Sequence, residues 1–222
     1  MCLILSVQAK KLTTQRLTLF MSYLRLILLS MSMLLVACST APPHNLNDGC
    51  SIFREKDDWY EYAKDAQDKW GVPVHVQLAI IWQESRFRAQ AKAPKDTLLG
   101  FIPWGRKSSA YGYAQVKDST WDWYMDKTGN SGADRDDFED VTDFIGWYGN
   151  CTHKSLGISK WDAYNQYLAY HEGHGGYKRK TYNNKKWLTA VARKVEWRAM
   201  KYRKQINQCE SELDSGWSLW PF

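Results

Sequence analysis

The sequence predicts an all-α fold, because apolar side chains recur at helical spacing along most of the chain after residue 50. No stretch of useful length alternates apolar and polar side chains with a period of two, as a half-buried β-strand would. One long loop, residues 91–111, contains two prolines and two glycines and is where a small hairpin is expected. The 185 residues from 38 to 222 suit a single helical domain with one core.

Six helices are expected, and glycine, aspartate and serine residues mark several of their ends. Gly71 and Gly129 can each end a helix in the left-handed conformation, which costs glycine little. Asp134 and Ser159 can each accept a hydrogen bond from the first turn of the helix that follows. The predicted helices span residues 54–70, 73–87, 119–127, 134–150, 159–172 and 186–208.

The first 37 residues have the features of a secretory signal peptide. An apolar run of 12 residues, Leu26 to Ala37, follows Arg25 and three further basic residues. The run is too short to cross a bilayer, which takes about 20 residues, but it suits the apolar part of an export signal. Residues 1–37 are therefore predicted to be removed on export. Met21 is an alternative start, because residues 1–20 add nothing that the signal requires.

The end of the apolar run, residues 35–38, is Leu-Val-Ala-Cys and resembles a bacterial lipobox. The resemblance implies cleavage before Cys38 and acylation of that cysteine, and Ser39 favours sorting to the outer membrane. The expected location is the periplasmic face of the outer membrane, where residues 38–49 would tether the domain, residues 50–222, to the lipid. The alternative is an ordinary signal peptide followed by a cysteine of no consequence.

The net charge of +6 overstates how basic the exported chain would be. Four of the 30 basic residues and none of the 24 acidic residues precede residue 38, so 26 basic and 24 acidic residues remain. Because the charges nearly balance, little supports binding to nucleic acid, and no nucleic-acid partner is expected. Residues 178–204 still contain eleven basic residues against Glu196. That cluster is either a solvated helix face or a surface that attracts anionic cell wall or lipid headgroups.

Three cysteines remain for the folded domain if Cys38 is acylated. Cys50 opens that domain and Cys209 follows the last predicted helix, so a disulfide between them is expected in an oxidising compartment. Cys151 would then be unpaired and act as a small buried apolar residue. No two cysteines lie close enough in the sequence to suggest a zinc site.

Glu84 is the residue whose setting points most directly to catalysis. It follows Ile80 and Ile81 by four and three residues and precedes Phe87 by three, so it projects from a largely apolar helix stripe. Partial removal from water raises the pKa of a carboxyl group and keeps it protonated, as a general acid must be. The alternative is a solvated carboxylate paired with Arg88, four residues later.

Three segments, in this order, resemble motifs of the lytic transglycosylases of the soluble type, which have a lysozyme-like helical fold. Residues 83–85, Gln-Glu-Ser, resemble the Glu-Ser motif, and residues 112–115, Gly-Tyr-Ala-Gln, resemble the Gly-Leu-Met-Gln motif that lines the cleft. Residues 169–173, Ala-Tyr-His-Glu-Gly, resemble Ala-Tyr-Asn-Ala-Gly. Two residues differ in each of the last two motifs, and residues 94–106 form an insertion between the first and the second.

The resemblance implies that Glu84 is the sole catalytic acid and base and that Tyr170 faces it and orients it by a hydrogen bond. The expected reaction cleaves the bond between N-acetylmuramic acid and N-acetylglucosamine in peptidoglycan. The muramic C6 hydroxyl attacks C1 and gives a 1,6-anhydro product, and no cofactor is needed. The other expected substrate-binding residues are Ser85, Ser108, Ser109, Tyr113, Gln115 and His171.

No metal is expected, although two histidines and a glutamate lie close together after Tyr170. His171, Glu172 and His174 have the spacing His-Glu-x-His rather than His-Glu-x-x-His, which would place both histidines on one helix face. His171 is therefore expected to donate or accept a hydrogen bond in the cleft.

Two other functions remain open from the sequence. A goose-type lysozyme would use the same fold and acid to hydrolyse the bond with water. It would need a second carboxylate in the cleft, for which Glu172 is the evident residue. A non-catalytic peptidoglycan-binding lipoprotein would also be compatible with the changes in the second and third motifs. The sequence gives no indication of the oligomeric state.

Overall fold

Seven α-helices, one short 3₁₀ helix and one two-stranded hairpin make up the part of the chain that the computed structural model describes, residues 41–98, 102–106 and 108–215. The predicted signal peptide, Cys38 and the start of the predicted tether lie outside the described residues. The helices are α1 (Gly49–Glu55), α2 (Asp57–Trp70), α3 (Val74–Ser85), α4 (Asp118–Thr128), α5 (Phe138–Leu156), α6 (Ala163–Lys178) and α7 (Lys186–Asp214), and Thr181–Asn184 form the 3₁₀ turn.

The predicted all-α fold is confirmed, and the expected hairpin forms within the long loop. Its strands, β1 (Lys95–Leu98) and β2 (Ile102–Arg106), run antiparallel, with Lys95 opposite Arg106. The Arg106 guanidinium donates a hydrogen bond to the carbonyl of Ala93 at 2.7 Å, which ties the base of the hairpin to the chain before it. No helix in the described part of the chain is both long and apolar enough to cross a membrane.

Two predicted helix starts are wrong by three residues, for the same reason. Asp137, not Asp134, caps α5 and accepts a hydrogen bond from the backbone N–H of Asp140 at 3.2 Å. Asp162, not Ser159, caps α6 in the same way. In both segments a second residue with a capping side chain lies three positions downstream, and spacing alone does not choose between the two.

The predicted helix over residues 54–70 is in fact two helices, α1 and α2, because the backbone of Lys56 leaves the helical region. A second correction concerns α6, which was expected to end before Gly173. Helical structure continues on both sides of Gly173, whose φ of 70° and ψ of 160° produce a kink. That conformation is essentially restricted to glycine, so the kink depends on this residue.

Helix α3 lies in the centre of the fold and is buried on nearly every side. Its residues from Val74 to Ile81 are buried, apart from His75, and it packs against α2, α5, α6 and α7. A helix that is apolar all round has no solvated face and so occupies the core. Residues 82–84, near the C-terminal end of α3, are only partly buried, so they reach the surface on a rigid support.

Long helix α7 covers one side of α3 and is fixed to the start of the domain by a disulfide. A stripe of buried residues runs along α7 from Leu188 to Cys209. Cys209 is joined to Cys50 in α1 across 159 residues of sequence, and Cys151 has a free thiol. Closing so long a loop stabilises the folded state by about 4–5 kcal/mol in the chain-entropy model.

Candidate active site

A cleft of about 520 Å³ opens beside the C-terminal end of α3 and has Glu84 on its wall. Its other walls come from the base of the hairpin, the segment after Gly112, helix α5 and the kinked part of α6. The residues that line it are Glu84, Ala93, Pro94, Ala110, Gln115, Val116, Lys117, Thr120, Phe144, Tyr148, Tyr170, His171, Glu172 and Gly173. Of the predicted site residues, the structure brings Glu84, Gln115, Tyr170 and His171 together on this cleft.

The end of α3 places Glu84 at the cleft by an abrupt change in backbone direction. Arg86 and Phe87 both have positive φ values, 54° and 57°, which are uncommon for residues other than glycine. Phe87 is fully buried, and its ring lies 5.8 Å from that of Trp59, so core packing holds the turn in place. Backbone strain of this kind is concentrated at functional sites, where the surrounding structure maintains it.

Glu84 has the protonation behaviour that a general acid needs. Burial raises the pKa of its carboxyl group from 4.5 to about 7, although a hydrogen bond from Tyr167 acts in the opposite direction. At neutral pH the protonated and ionised forms therefore coexist, which suits a group that first donates and then accepts a proton. The alternative considered for Glu84, an exposed ion pair with Arg88, is absent from the described structure, where the Arg88 Nε donates to the carbonyl of Ser85.

The hydrogen bond to Glu84 comes from Tyr167 and not from Tyr170 as expected. The Tyr170 hydroxyl donates instead to the carbonyl of Ala114 at 2.6 Å. Tyr167 lies one turn earlier on the same side of α6, and its hydroxyl donates to the carboxylate of Glu84. Tyr170 still lines the cleft, where it connects α6 to the second motif. Tyr167 and Tyr170 are three residues apart, so helical spacing could have predicted that either contacts Glu84. The resemblance to the family motif favoured Tyr170 because only Tyr170 lies within that motif.

Gly112 and Gln115 hold the loop opposite Glu84. Gly112 has a φ of 82°, and a Cβ atom there would lie 1.9 Å from the carbonyl oxygen of Arg135, so no larger residue fits. The amide of Gln115 donates to the carbonyls of Ala91 and Gly112, both at 2.9 Å. Gln115 thus braces the loop from within while also lining the cleft. Gly112 and Gln115 thus each have a structural role in this segment.

The structure places four predicted substrate-binding residues away from the described wall of the cleft. Tyr113 is buried and packs edge-on against Trp59 and Phe138. Ser85 is buried and donates to the carbonyl of Ile81. The hydroxyl oxygens of Ser108 and Ser109 accept hydrogen bonds from the backbone N–H groups of Ala110 and Asp118. Both serines therefore stabilise the loop, while Thr120, which was not predicted, lines the cleft.

An aromatic wall on α5 and α6 was also missed. Tyr170 meets both Phe144 and Tyr148 edge to face, and the ring of His174 stacks on that of Tyr148 at 4.7 Å. Phe144 and Tyr148 are buried residues on the apolar stripe of α5, and their helical spacing does not show that they also border a cleft. His174 also bonds to Thr152, with 2.9 Å between the ring nitrogen and the hydroxyl.

Glu172 is a second carboxylate on the cleft, but it already accepts hydrogen bonds from three neighbouring side chains. Only 3% of its side chain is exposed, and it pairs with Lys185 at 2.7 Å. Burial alone would raise the pKa of its carboxyl group, but hydrogen bonds from Lys185, Thr181 and His171 lower it to about 2. Glu172 is therefore ionised at all ordinary pH values. Among the described residues, no three histidine, cysteine, aspartate or glutamate side chains are placed to hold a metal.

Comparison with known families identifies the fold that carries this cleft. A family model described as the transglycosylase SLT domain matches residues 26–209, which include all three motif segments. The chain belongs to this family. Membership implies a lytic transglycosylase, a lyase that acts on peptidoglycan, and so confirms the resemblance seen in the sequence. Searches of curated proteins and of solved structures found no match to this chain.

Proposed function

We propose that this transglycosylase SLT domain protein cleaves the bond between N-acetylmuramic acid and N-acetylglucosamine and forms a 1,6-anhydro product, with Glu84 as the only general acid and base. The observation that carries the proposal is the setting of Glu84. It lies on the wall of a cleft large enough for a sugar unit, and burial raises the pKa of its carboxyl group to about 7.

In the first step, protonated Glu84 donates its proton to the oxygen that links the two sugars. The bond between this oxygen and C1 of the muramic acid breaks, and N-acetylglucosamine leaves with a hydroxyl group. Positive charge develops on the muramic ring, where the acetamido group of the substrate can stabilise it. Glu84 is now ionised, and the hydrogen bond from Tyr167 stabilises the carboxylate at this stage.

In the second step, the Glu84 carboxylate removes the proton from the C6 hydroxyl of the same muramic acid. The C6 oxygen attacks C1 and closes the anhydro ring, and Glu84 returns to its protonated form. One carboxyl group therefore completes the cycle without water. The aromatic wall of Phe144, Tyr148 and Tyr170 offers an apolar surface to the sugar rings, and Gln115, His171 and Thr120 offer polar groups around it.

The state of Glu172 favours this reaction over hydrolysis. A goose-type lysozyme would need a second carboxylate to activate a water molecule, and Glu172 is the other carboxylate on the described cleft wall. Its pairing with Lys185 and the low pKa of its carboxyl group make it a poor base for that purpose. Glu172 instead connects the kinked part of α6 to the chain that follows, because it bonds to Thr181 and Lys185 beyond the end of that helix.

Product analysis tests the proposal directly. Purified protein incubated with peptidoglycan sacculi should release muropeptides that end in 1,6-anhydro-muramic acid, identified by mass spectrometry. Reducing muropeptides, heavier by one water, would establish a hydrolase. An absence of any products from correctly folded protein would favour a non-catalytic wall-binding role. The Glu84→Gln variant, which keeps the shape of the side chain, is the matched control for contaminating activity.

We also propose that the protein is anchored at the periplasmic face of the outer membrane by a lipid on Cys38. The support is the Leu-Val-Ala-Cys sequence at the end of the apolar run. Metabolic labelling with a fatty-acid probe should label the wild-type protein and not the Cys38→Ala variant. An unlabelled wild-type protein would refute the anchor without affecting the proposed catalysis.

A further inference from the structure

The outward side of α7 carries apolar and basic side chains together. The buried stripe of this helix faces the core, and seven long or aromatic side chains of the first two-thirds lie on the opposite half of the helix. Five of the seven are basic, one is a tryptophan and one is a methionine. We call this surface the α7 face, and it consists of Lys186, Arg193, Lys194, Trp197, Met200, Lys201 and Lys204.

The two apolar residues of the α7 face are more than half exposed. Trp197 is 57% exposed and Met200 is 58% exposed, and they lie three residues apart, which places them side by side on the helix. The Lys201 ammonium lies 5.6 Å from the centre of the Trp197 ring. Large apolar side chains on a monomer surface are unremarkable when isolated, but a neighbouring pair within a cluster of cations indicates a contact surface.

The positive charge of the α7 face is not neutralised by the domain itself. Within residues 41–98, 102–106 and 108–215, none of the five basic side chains forms an ion pair with a carboxylate. Glu196 is the single acidic residue between positions 186 and 204, and it lies beside the face rather than within it. The next acidic residue of α7 is Glu210, beyond the end of the face.

We propose that the α7 face binds the surface of an anionic phospholipid bilayer, with α7 lying parallel to the membrane plane. Trp197 and Met200 enter the boundary between headgroups and acyl chains, and the surrounding lysines and arginine contact the phosphates. This combination of apolar and basic side chains on one helix face is typical of helices that bind at a membrane interface. The face extends for about 27 Å at the rise of an α-helix, long enough for several headgroups.

A phospholipid surface fits this face better than a glycan strand does. Sugar-binding sites are concave and combine aromatic rings with neutral polar side chains that bond to hydroxyl groups. The α7 face is the convex side of a single helix, and its polar side chains are all cations. Thr189, at the edge of the face, donates its hydroxyl to the carbonyl of Lys186 within the helix. The carboxylates of peptidoglycan stems would attract the cations, but they would leave Met200 in contact with water.

The proposal goes beyond the proposed function and does not depend on it or on acylation of Cys38. Binding by the α7 face would set the orientation of the domain at a membrane. The test uses residues 41–222, because this segment is one compact unit that contains the described core and the disulfide. Omission of residues 1–40 removes the apolar run and Cys38, so membrane binding cannot come from the signal or the anchor.

The experiment measures co-sedimentation of residues 41–222 with vesicles. The wild-type segment should bind vesicles that contain one-third phosphatidylglycerol in phosphatidylcholine, and should not bind pure phosphatidylcholine. Lys194→Glu/Lys201→Glu should weaken binding by at least about tenfold, because each lysine near the surface contributes favourably. Trp197→Ser/Met200→Ser should leave only binding that is lost at moderate salt, since ionic attraction is screened and insertion is not.

The matched control is Lys127→Glu/Lys154→Glu, which makes the same charge change at two exposed lysines on α4 and α5. Circular dichroism of each variant verifies the fold, and cleavage of glycan in solution should be equal in all of them. Equal loss of vesicle binding in the control would overturn the proposal, because the attraction would then follow net charge. Binding of the wild type to sacculi but not to vesicles, lost in the α7-face variants, would replace the membrane by the cell wall.

Discussion

Two glutamates line the same cleft, and their surroundings drive their pKa values in opposite directions. Glu84 ends a buried helix and is bonded by one neutral hydroxyl group, from Tyr167, so burial dominates and the pKa of its carboxyl group rises to about 7. Glu172 is also buried, but an ammonium group, a hydroxyl group and an imidazole bond to it, and the pKa of its carboxyl group falls to about 2.

The difference shows how one residue type supplies both an acid and a fixed anion within a single site. A buried carboxyl group with few partners retains its proton until it is needed, whereas one with a cation at 2.7 Å cannot be protonated at any working pH. The number and charge of the hydrogen-bond donors therefore distinguish the roles of the two glutamates.

The largest expected effect follows from removing the acid. Glu84→Gln should lower kcat by at least about a thousandfold, because the amide cannot donate or accept the proton on which both steps depend. Binding of glycan chains to the variant should persist, since the shape of the side chain is unchanged. Release of anhydro-muropeptides from sacculi gives the rate. Glu172→Gln is the matched substitution and should retain measurable turnover; a loss as deep as that of Glu84→Gln would assign Glu172 to the chemistry.

The next largest effect is expected from removing the hydrogen bond that Tyr167 donates to Glu84. Tyr167→Phe should lower kcat by roughly ten- to a hundred-fold, because the ionised carboxylate loses its stabilising bond. The same bond lowers the pKa of Glu84, so its removal should move the alkaline limb of the rate profile to higher pH. A pH profile separates this positioning role from general structural damage, which would lower the rate without moving the limb.

Tyr170→Phe is the control for that substitution. The Tyr170 hydroxyl bonds to the backbone of Ala114, so its removal should not shift the alkaline limb. If the limb moves in Tyr170→Phe and stays in place in Tyr167→Phe, then Tyr170 is the partner of Glu84, as the sequence motif alone suggested.

The sequence predicts the setting of Glu84 but not that of Glu172. The apolar spacing around Glu84 predicts a desolvated acid, because Ile80 and Ile81 precede it on the same helix and Phe87 follows it closely in the sequence. The partners of Glu172 come from Thr181 and Lys185, on the chain after α6. Their approach depends on the kink at Gly173, which the helical pattern does not encode.

The difference between local neighbours and partners from distant parts of the chain also explains which other predictions from the sequence were correct and which were wrong. Helices with a continuous apolar stripe were predicted correctly in type, and their starts were wrong where two capping residues compete, as at Asp134 and Asp137. The aromatic wall was missed because Phe144 and Tyr148 have the spacing of ordinary core residues. Whether a residue on a buried stripe also borders a cleft depends on packing between helices, which a single sequence does not specify.

A smaller effect is expected from replacing Glu172, the ionised carboxylate, and it concerns the stability of the fold. Glu172→Gln should reduce the free energy of unfolding at pH 7 by roughly 1–3 kcal/mol, because Lys185 loses its partner and the pair is only partly exposed. The pKa of Glu172 is lower in the folded state, so its contribution is complete above pH 4.5 and declines as the pH falls toward 2. Urea unfolding at pH 7 and pH 3.5 should show that the difference in free energy of unfolding between wild type and variant is smaller at pH 3.5. An equal deficit at both values would attribute the loss to packing instead of the ion pair.

The smallest effect has the opposite sign and comes from the acid itself. The pKa of Glu84 is higher in the folded state, so the folded protein binds its proton more tightly than the unfolded chain. Stability is therefore complete below pH 4.5 and declines as the pH rises toward 7, where ionisation of the buried group opposes folding. Glu84→Gln removes this penalty and should raise the free energy of unfolding by about 1–2 kcal/mol at pH 8, with little change at pH 4.5. Urea unfolding of the wild type and the variant at both pH values measures it. A variant less stable than the wild type at pH 8 would mean that the carboxylate is well solvated or paired, and the contrast with Glu172 would no longer explain why Glu84 serves as the acid.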